Sequence, residues 1–490
     1  MNYSIIFYII SYVLKIEGFF LIAPAMVGVI YKEQEYLSFL ICALIYILVG
    51  VLTTLKRPKN QVFYAKEGLV SVALSWFVLS IFGSVPFVLN GDIPNFVDAF
   101  FETVSGFTTT GSSILGDVEA LSHCSLFWRS FSHWIGGMGV LVFILSVLPL
   151  TGGSTIHLMR AESPGPQVGK VMPKIRDTAT ILYLIYTVMT LVQIVILCVG
   201  KMPLFDAVTL TFGSAGTGGF AIKNSGLAEY NPFCQYVIAI FMLLFGVNFN
   251  VYFLAYKRHF KQALSVEEMR WYFVIVGASV LFITYNIRSM FPTLEEAFRQ
   301  SLFQVSSIIT TTGFSTTDFN LWPLFSKCII VGLMFCGACA GSTGGGIKVS
   351  RIAILIKSVK DELQVIIHPK AVRHVRFENK AIDGATLRSI FMFLGAYVLV
   401  FSGSLLLLCL DKYDFTTNFT AVAATINNIG PGLSEVGPVK NFGDYTQLSK
   451  LLLSFNMLAG RLEIFPVLVL INPKTWRSSA LIRFKHKSNI

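Results

Sequence analysis

The sequence has few charged residues and none of the short motifs that accompany common catalytic chemistries. Only 13% of its 490 residues are Asp, Glu, Lys or Arg, whereas soluble domains carry about 25%. We find no Walker A sequence, no HExxH sequence and no Ser/His/Asp set at membrane depth. These absences argue against a soluble protein, and we expect neither an enzyme nor a cofactor bound by this chain.

The cysteines also lack a functional pattern. Eight are scattered without paired spacing. Cys336 and Cys339 have CxxC spacing, but they lie in an apolar stretch with no second ligand pair, so we expect them to pack rather than bind zinc or cycle redox states. The first apolar stretch, 3–30, has neither a basic leading region nor an A-x-A cleavage site, which predicts a retained helix.

Long apolar segments are abundant, since 54% of the residues are hydrophobic. A membrane crossing needs about 20 apolar residues. The segments of sufficient length lie near 3–30, 36–55, 67–90, 126–150, 178–200, 233–256, 271–290, 324–357, 386–410 and 446–471. We therefore predict an all-α polytopic membrane protein with ten transmembrane helices.

The positive charges lie in alternate connections between these segments. Lys and Arg cluster at 56–67, 151–177, 256–271, 357–388 and 472–490. The positive-inside rule places such clusters in the cytoplasm, so both termini are expected there. The net charge of +11 is thereby explained, and no nucleic-acid partner is expected.

A short glycine-containing segment occurs four times. The copies, here called the glycine segments, are 103–113, 216–220, 310–314 and 427–431, and they align on Gly111, Gly219, Gly313 and Gly430. They recur at intervals of about 100 residues, which indicates internal repetition, and each lies between two long apolar segments. We predict a two-helix hairpin at 1–60 followed by pore repeats at 61–160, 161–262, 263–370 and 371–490.

Each glycine follows a segment that is too short to cross the membrane. We interpret these segments, 98–110, 206–218, 300–312 and 417–429, as half-helices that enter from outside and end at mid-membrane. Asp98 and Asp206 are expected to cap the first two. The alternative interpretation is four extracellular loops with turn glycines.

Four half-helices, each followed by an aligned glycine, together predict a cation pore. Backbone carbonyls can replace the water shell of a cation, and glycine permits the dihedral angles that aim them inward. The filter contains no charged residue, which favours an alkali cation over Ca²⁺. The predicted ion-binding residues are Thr109, Thr110, Gly111, Thr217, Gly218, Gly219, Thr311, Thr312, Gly313, Asn428, Ile429 and Gly430, and the hydroxyls of Thr110, Ser112, Thr217 and Thr311 are possible additional ligands.

Two further features indicate a gate. The segment 324–357 is interrupted by a glycine loop, which comprises Gly341, Ser342, Thr343, Gly344, Gly345 and Gly346. Because each glycine costs a helix about 1 kcal/mol relative to alanine, we predict unwound backbone. The alternative is a helix-packing face formed by Gly337, Gly341 and Gly345.

The second feature is Arg461, which lies near mid-membrane in the last apolar segment. It is interpreted either as a structural partner of another helix or of the loop carbonyls, or as a positive charge beneath the filter. Glu463, two residues further on, is predicted to be a poor partner for it.

These motifs resemble the Trk/Ktr/HKT superfamily of potassium transporters. His133–Gly139, Gly341–Lys348 and Ala459–Glu463 are similar to family sequences, and the N-terminal hairpin resembles the TrkH/TrkG branch. The resemblance implies four M1–P–M2 repeats in pseudo-fourfold arrangement, potassium uptake across the bacterial inner membrane, and a gate at the glycine loop with Arg461.

Further implications concern selectivity and partners. The resemblance implies a homodimer with cytosolic RCK/TrkA-like nucleotide-binding regulatory subunits. Glycine at position 111 favours K⁺, because some sodium-selective plant relatives have serine there. The fourth segment departs most from the pattern, since Asn427 and Asn428 replace threonines. The functional alternatives are a gated, channel-like potassium pore and a Na⁺- or H⁺-coupled potassium symporter with a midplane site.

Overall fold

The computed structural model describes residues 1–56, 58, 64–139, 175–369 and 374–476, and most of them are helical. In the first part of the chain the helices are α1 (Tyr3–Tyr31), α2 (Tyr36–Thr54), α3 (Ala65–Asn90), α4 (Phe96–Phe107) and α5 (His123–Gly137). In the middle they are α6 (Ile175–Val199), α7 (Leu204–Gly216), α8 (Pro232–Phe245), α9 (Phe249–Tyr256), α10 (Phe260–Ser265), α11 (Glu267–Ile287), α12 (Leu294–Ile309) and α13 (Leu324–Cys336).

The last part contains the remaining helices and a small hairpin. The helices are α14 (Val349–Ile367), α15 (Gly384–Leu408), α16 (Phe415–Ile426), α17 (Gln447–Arg461), α18 (Phe465–Ile471) and α19 (Pro473–Trp476). Strands β1 (Arg376–Phe377) and β2 (Lys380–Ala381) pair antiparallel between α14 and α15. The basic cluster at 151–177 and the end of the segment predicted at 126–150 lie largely outside the described residues.

Six helices of the described chain are long and apolar enough to cross a membrane: α1, α2, α3, α6, α11 and α15. They are the predicted hairpin and the first span of each predicted repeat. Large apolar side chains on them face outward: Leu48, Val195 and Leu399 are 60%, 61% and 76% exposed. Such surfaces are stable only against lipid, so the chain is a multi-pass membrane protein.

The second spans of the second and fourth predicted repeats are interrupted, which the sequence did not predict. The predicted span 233–256 consists of α8 and α9, which meet at an angle of 89°. The predicted span 446–471 consists of α17 and α18, separated by Leu462–Ile464.

Local contacts explain both breaks. Asn248 caps α9 by accepting a hydrogen bond from the backbone N–H of Asn250, and the carbonyl of Gly246 accepts the N–H of Cys339, 3.1 Å away, from the third repeat. At the second break Ile464 has a φ of 67°, a rare conformation for a β-branched residue, and Pro466 fits the first turn of α18. Freed backbone groups inside a membrane must find partners of this kind.

Four short helices precede the glycines, as predicted: α4, α7, α12 and α16. They have 12, 13, 16 and 12 residues, and they begin and end a few residues earlier than the predicted half-helices. The predicted caps were wrong, because Asn95 and Pro203 occupy the N-cap positions of α4 and α7. Asp98 and Asp206 lie in the first turn instead, where a carboxylate still interacts favourably with the free N–H groups.

The short helices lie in the interior of the protein. All residues of α4 from Ala99 to Phe107 are buried, and so are those of α16 from Ala421 to Ile426. Lys450 of α17 donates a hydrogen bond of 2.6 Å to Asp98 and so ties the fourth repeat to the start of α4. Cys336 and Cys339 are both buried thiols within an apolar cluster. The fold thus places four short helices inside a sheath of long ones.

Candidate ion-conducting site

The backbone adopts one conformation in all four glycine segments. In each segment the glycine and the residue two positions before it have positive φ, while the residue between them does not. The values are 55° and 79° for Thr109 and Gly111, 55° and 77° for Thr217 and Gly219, 59° and 86° for Thr311 and Gly313, and 55° and 103° for Asn428 and Gly430. Successive carbonyls of an ordinary strand point to opposite sides, whereas alternating signs of φ turn them toward the same side.

The four glycines contact one another in cyclic order. A Cβ atom placed on Gly111 would lie 2.0 Å from the carbonyl oxygen of Gly218, in the second segment. The corresponding distances are 1.9 Å from Gly219 to Thr312 O, 2.0 Å from Gly313 to Ile429 O and 2.9 Å from Gly430 to Thr110 O. The last contact returns to the first segment, so the ring is closed. The first three positions have no room for any side chain.

All four glycines also line one cavity of about 230 Å³. The other lining residues come mostly from the stretches that follow each glycine, and they include Arg129, Lys223 and Lys440. Lys223 pairs with Glu229 and Lys440 with Glu435. The structure therefore brings every predicted ion-binding segment to a single place.

The four hydroxyls predicted as additional ligands contact protein groups. Thr217 donates to the carbonyl of Gly216, and Ser112 donates to that of Gly430. Thr311 accepts the N–H of Gly345, at 2.6 Å, and Thr110 contacts both Thr108 and Asn428. Because these hydroxyls are already engaged, the backbone carbonyls are the groups best placed to bind an ion.

The glycine loop is unwound, as the sequence predicts. Helix α13 ends at Cys336 and α14 begins at Val349, and residues 337–348 between them are not helical. The alternative of a helix-packing face at Gly337, Gly341 and Gly345 is therefore wrong. A Cβ atom on Gly345 would lie 2.5 Å from the carbonyl oxygen of Asn427, so the loop touches the third and fourth glycine segments directly.

Lys348 stabilises this loop in a way that the sequence did not reveal. Its side chain is 2% exposed and folds back to donate to the carbonyls of Gly344 and Gly345. An ammonium group buried among carbonyls satisfies the requirement that buried charges be hydrogen-bonded.

Arg461 connects the glycine loop to the first repeat. Its guanidinium donates to the carbonyl of Thr343, at 2.9 Å, and to those of Gly136 and Gly137 at the end of α5. The loop carbonyl was one of the predicted partners. Glu463, predicted to be a poor partner for Arg461, pairs with Arg351 at 2.7 Å.

Two residues behind the first glycine segment make contacts that support it. Glu102 accepts hydrogen bonds from the hydroxyl of Ser113 and the N–H of Ile114. His133 contacts the carbonyl of Gly106 at 2.8 Å and accepts the N–H of Phe220. Sequence reasoning missed Arg129, the ion-pair partner of Glu102, although an arginine inside an apolar segment is itself a signal.

Comparisons with known proteins show which family the chain resembles. The chain matches the profile of the TrkH family, described as "Cation transport protein", over residues 37–478. It is 37% identical over 469 residues to "Trk system potassium uptake protein TrkH" of Salmonella typhimurium, covering 93% of this chain and 96% of the relative. It is 32% identical to "Trk system potassium uptake protein TrkG" of Escherichia coli, covering 94% and 95%.

A solved structure is also similar along its whole length. The crystal structure of the potassium transporter TrkH from Vibrio parahaemolyticus matches with a TM-score of 0.87 and 33% sequence identity. The match covers 97% of this chain and 100% of that one.

Proposed function

The chain belongs to the TrkH family of cation transport proteins, which is not a family of enzymes, and on that premise we propose that it takes up potassium through a gated, channel-like pore in the bacterial inner membrane. The observation that carries this proposal is the closed ring of carbonyl contacts at Gly111, Gly219, Gly313 and Gly430. The names of the relatives, which are potassium uptake proteins, support K⁺ as the ion.

The proposed architecture has ten transmembrane helices. It consists of the N-terminal hairpin and four M1–P–M2 repeats around one axis, with the interrupted helices serving as second spans. The six long helices and the four short ones that end at matching glycines support this arrangement. The basic clusters support cytoplasmic termini.

In the proposed mechanism K⁺ loses its water and binds the ring of carbonyl oxygens from Thr110, Gly218, Thr312 and Ile429. Carbonyl rings of this kind replace the hydration shell of an alkali ion. The short helices end just before the ring, and the negative ends of their dipoles favour a cation there. No carboxylate is needed, which fits a monovalent ion. The twelve residues named from the sequence form the proposed selectivity filter.

The glycine loop and Arg461 form the proposed gate. The contact of Gly345 with Thr311 and Asn427 puts the loop against the filter, and the bonds of Arg461 to Thr343 and to the end of α5 hold it there. The loop must therefore move for ions to pass, and the positive charge of Arg461 raises the barrier to cations as long as it stays in place.

The proposed partners follow from the family. We propose a homodimer whose cytoplasmic connections bind cytosolic RCK/TrkA-like nucleotide-binding subunits, because this chain shows no nucleotide-binding sequence of its own. The name "Trk system" of the relatives supports an assembly of several components. We propose no nucleic-acid partner and no cofactor.

Flux measurements on purified protein in lipid vesicles test the proposed function. With a K⁺ gradient alone, and with Na⁺ and H⁺ equal on both sides, we expect K⁺ to move down its gradient, because the carbonyl ring needs no second ion. Protein-free vesicles are the control. K⁺ flux that requires a Na⁺ or H⁺ gradient would instead establish the symporter, and the absence of K⁺ flux under every gradient would refute both alternatives.

A further inference from the structure

A buried ion pair joins the first two glycine segments from behind. Arg129 of α5 and Glu102 of α4 are 2.8 Å apart, and their side chains are 2% and 0% exposed. A second hydrogen bond, of 2.9 Å, runs from Nε of Arg129 to the same carboxylate. We propose that Glu102 and Arg129 are positioning residues that set the ion specificity of the pore, an inference that rests on the proposed function.

Glu102 bonds to the chain at the first glycine segment, and Arg129 bonds to the chain at both the first and the second, since it also donates to Ser113 Oγ at 3.4 Å. Glu102 accepts hydrogen bonds from Ser113 Oγ, at 2.9 Å, and from the N–H of Ile114, at 3.0 Å, just after Gly111. Arg129 donates to the carbonyl of Ala221, 3.3 Å away, just after Gly219. Its guanidinium also lies 4.1 Å from the ring centre of Phe220. The pair therefore fixes the spacing between the first and second segments.

The other repeats have no charges at the corresponding positions. Nine residues before the aligned glycines, the place of Glu102 is taken by Leu210, Gln304 and Ala421. Arg129 is the seventh residue of α5, and its place at the seventh residue of α8, α13 and α17 is taken by Ile238, Ile330 and Leu453. Gln304 donates to Thr316 of its own repeat, at 3.5 Å. Among the described residues, an ion pair at these aligned positions thus occurs only between the first and second glycine segments.

This position gives the pair influence over selectivity. Discrimination between K⁺ and Na⁺ depends on the spacing and stiffness of the carbonyl oxygens. The carbonyl oxygen of Gly218 lies at the junction that the pair spans, because a Cβ atom on Gly111 would lie 2.0 Å from it. Removing one charge leaves the other buried and unpaired, so the two segments shift relative to each other. The shifted ring then discriminates less strongly against Na⁺, the smaller ion.

The test compares K⁺ and Na⁺ flux through purified E102Q and R129K proteins in lipid vesicles. Glutamine keeps the shape of Glu102 and removes its charge, and lysine keeps the charge of Arg129 and removes the planar fork that bridges two segments. We expect the K⁺/Na⁺ flux ratio to fall by about tenfold in each, because the lost bonds involve charged groups. The matched control is R288K, since Arg288 is an exposed arginine that packs over Tyr285 and does not line the cavity of the four glycines, and it should keep the wild-type ratio.

The outcomes separate positioning from a general structural role. An unchanged ratio in folded R129K, or an equal loss of both fluxes, would overturn the proposal, and R129K alone decides if E102Q does not fold. A fall of the ratio in R288K equal to that in R129K would also overturn it. If the wild-type protein carries no K⁺ at all, the proposed function itself fails, and this result is distinct from each of the others.

Discussion

We expect potassium uptake to fall by about 100-fold when Gly313 is replaced by serine. The left-handed φ at this position and the overpacking by the new side chain together cost about 3 kcal/mol or more. Gly313 has a φ of 86°, which a residue with a Cβ atom rarely adopts. The new Cβ would also lie 2.0 Å from the carbonyl oxygen of Ile429 and 3.0 Å from Pro431. The third and fourth glycine segments must separate to make room, and the carbonyl ring opens.

Growth of a potassium-uptake-deficient bacterium at low external K⁺ measures this effect. The wild-type chain should restore growth and Gly313→Ser should not, at equal amounts of protein in the membrane. Gly332→Ser is the matched control, because Gly332 lies in α13 with open space where a Cβ would be. Growth of the Gly313→Ser strain at the wild-type rate would contradict the proposed role of this glycine.

We expect potassium flux to rise by about tenfold when Arg461 is replaced by alanine. The substitution removes hydrogen bonds made by a charged group, which contribute about 1.5–3 kcal/mol each. The guanidinium holds the glycine loop through Thr343 and holds α5 through Gly136 and Gly137. Alanine releases the loop and removes a positive charge close to the ion path. Both changes favour the open state.

Vesicle flux under a K⁺ gradient measures this second effect. Arg461→Lys separates its two causes: it keeps the charge, but a single ammonium group cannot reach all three carbonyls, so its flux should be intermediate. Lys474→Ala removes one exposed positive charge from α19 and should leave the flux unchanged. Unchanged or slower flux in Arg461→Ala would count against Arg461 as part of a gate.

The features that sequence predicted best are those encoded by repetition. Gly111, Gly219 and Gly313 recur in similar local sequences, and one segment supports the interpretation of the next. The fourth segment has the same backbone conformation as the others although its sequence differs: Asn428 has a φ of 55°, equal to that of Thr109. Asparagine enters the left-handed region more readily than most residues, so the unusual sequence preserves the backbone conformation.

The features that sequence missed depend on contacts between distant residues. Hydropathy measures how apolar a segment is and not whether its backbone is continuous, so the break at Gly246 inside the apolar segment 233–256 could not be seen. The partner of Gly246 is Cys339, in another repeat. The pairing of Arg351 with Glu463 likewise joins residues more than 100 positions apart. Closure of the glycine ring is a property of the packed protein and not of any one segment.

Anomalous diffraction from crystals containing Rb⁺, a close substitute for K⁺, locates the bound ion. We expect an Rb⁺ peak inside the ring formed by the carbonyl oxygens of Thr110, Gly218, Thr312 and Ile429. Crystals of the Gly313→Ser protein should lack that peak. An occupied Rb⁺ site elsewhere in the membrane region, with the four glycines enclosing no ion, would contradict the carbonyl-ring pore.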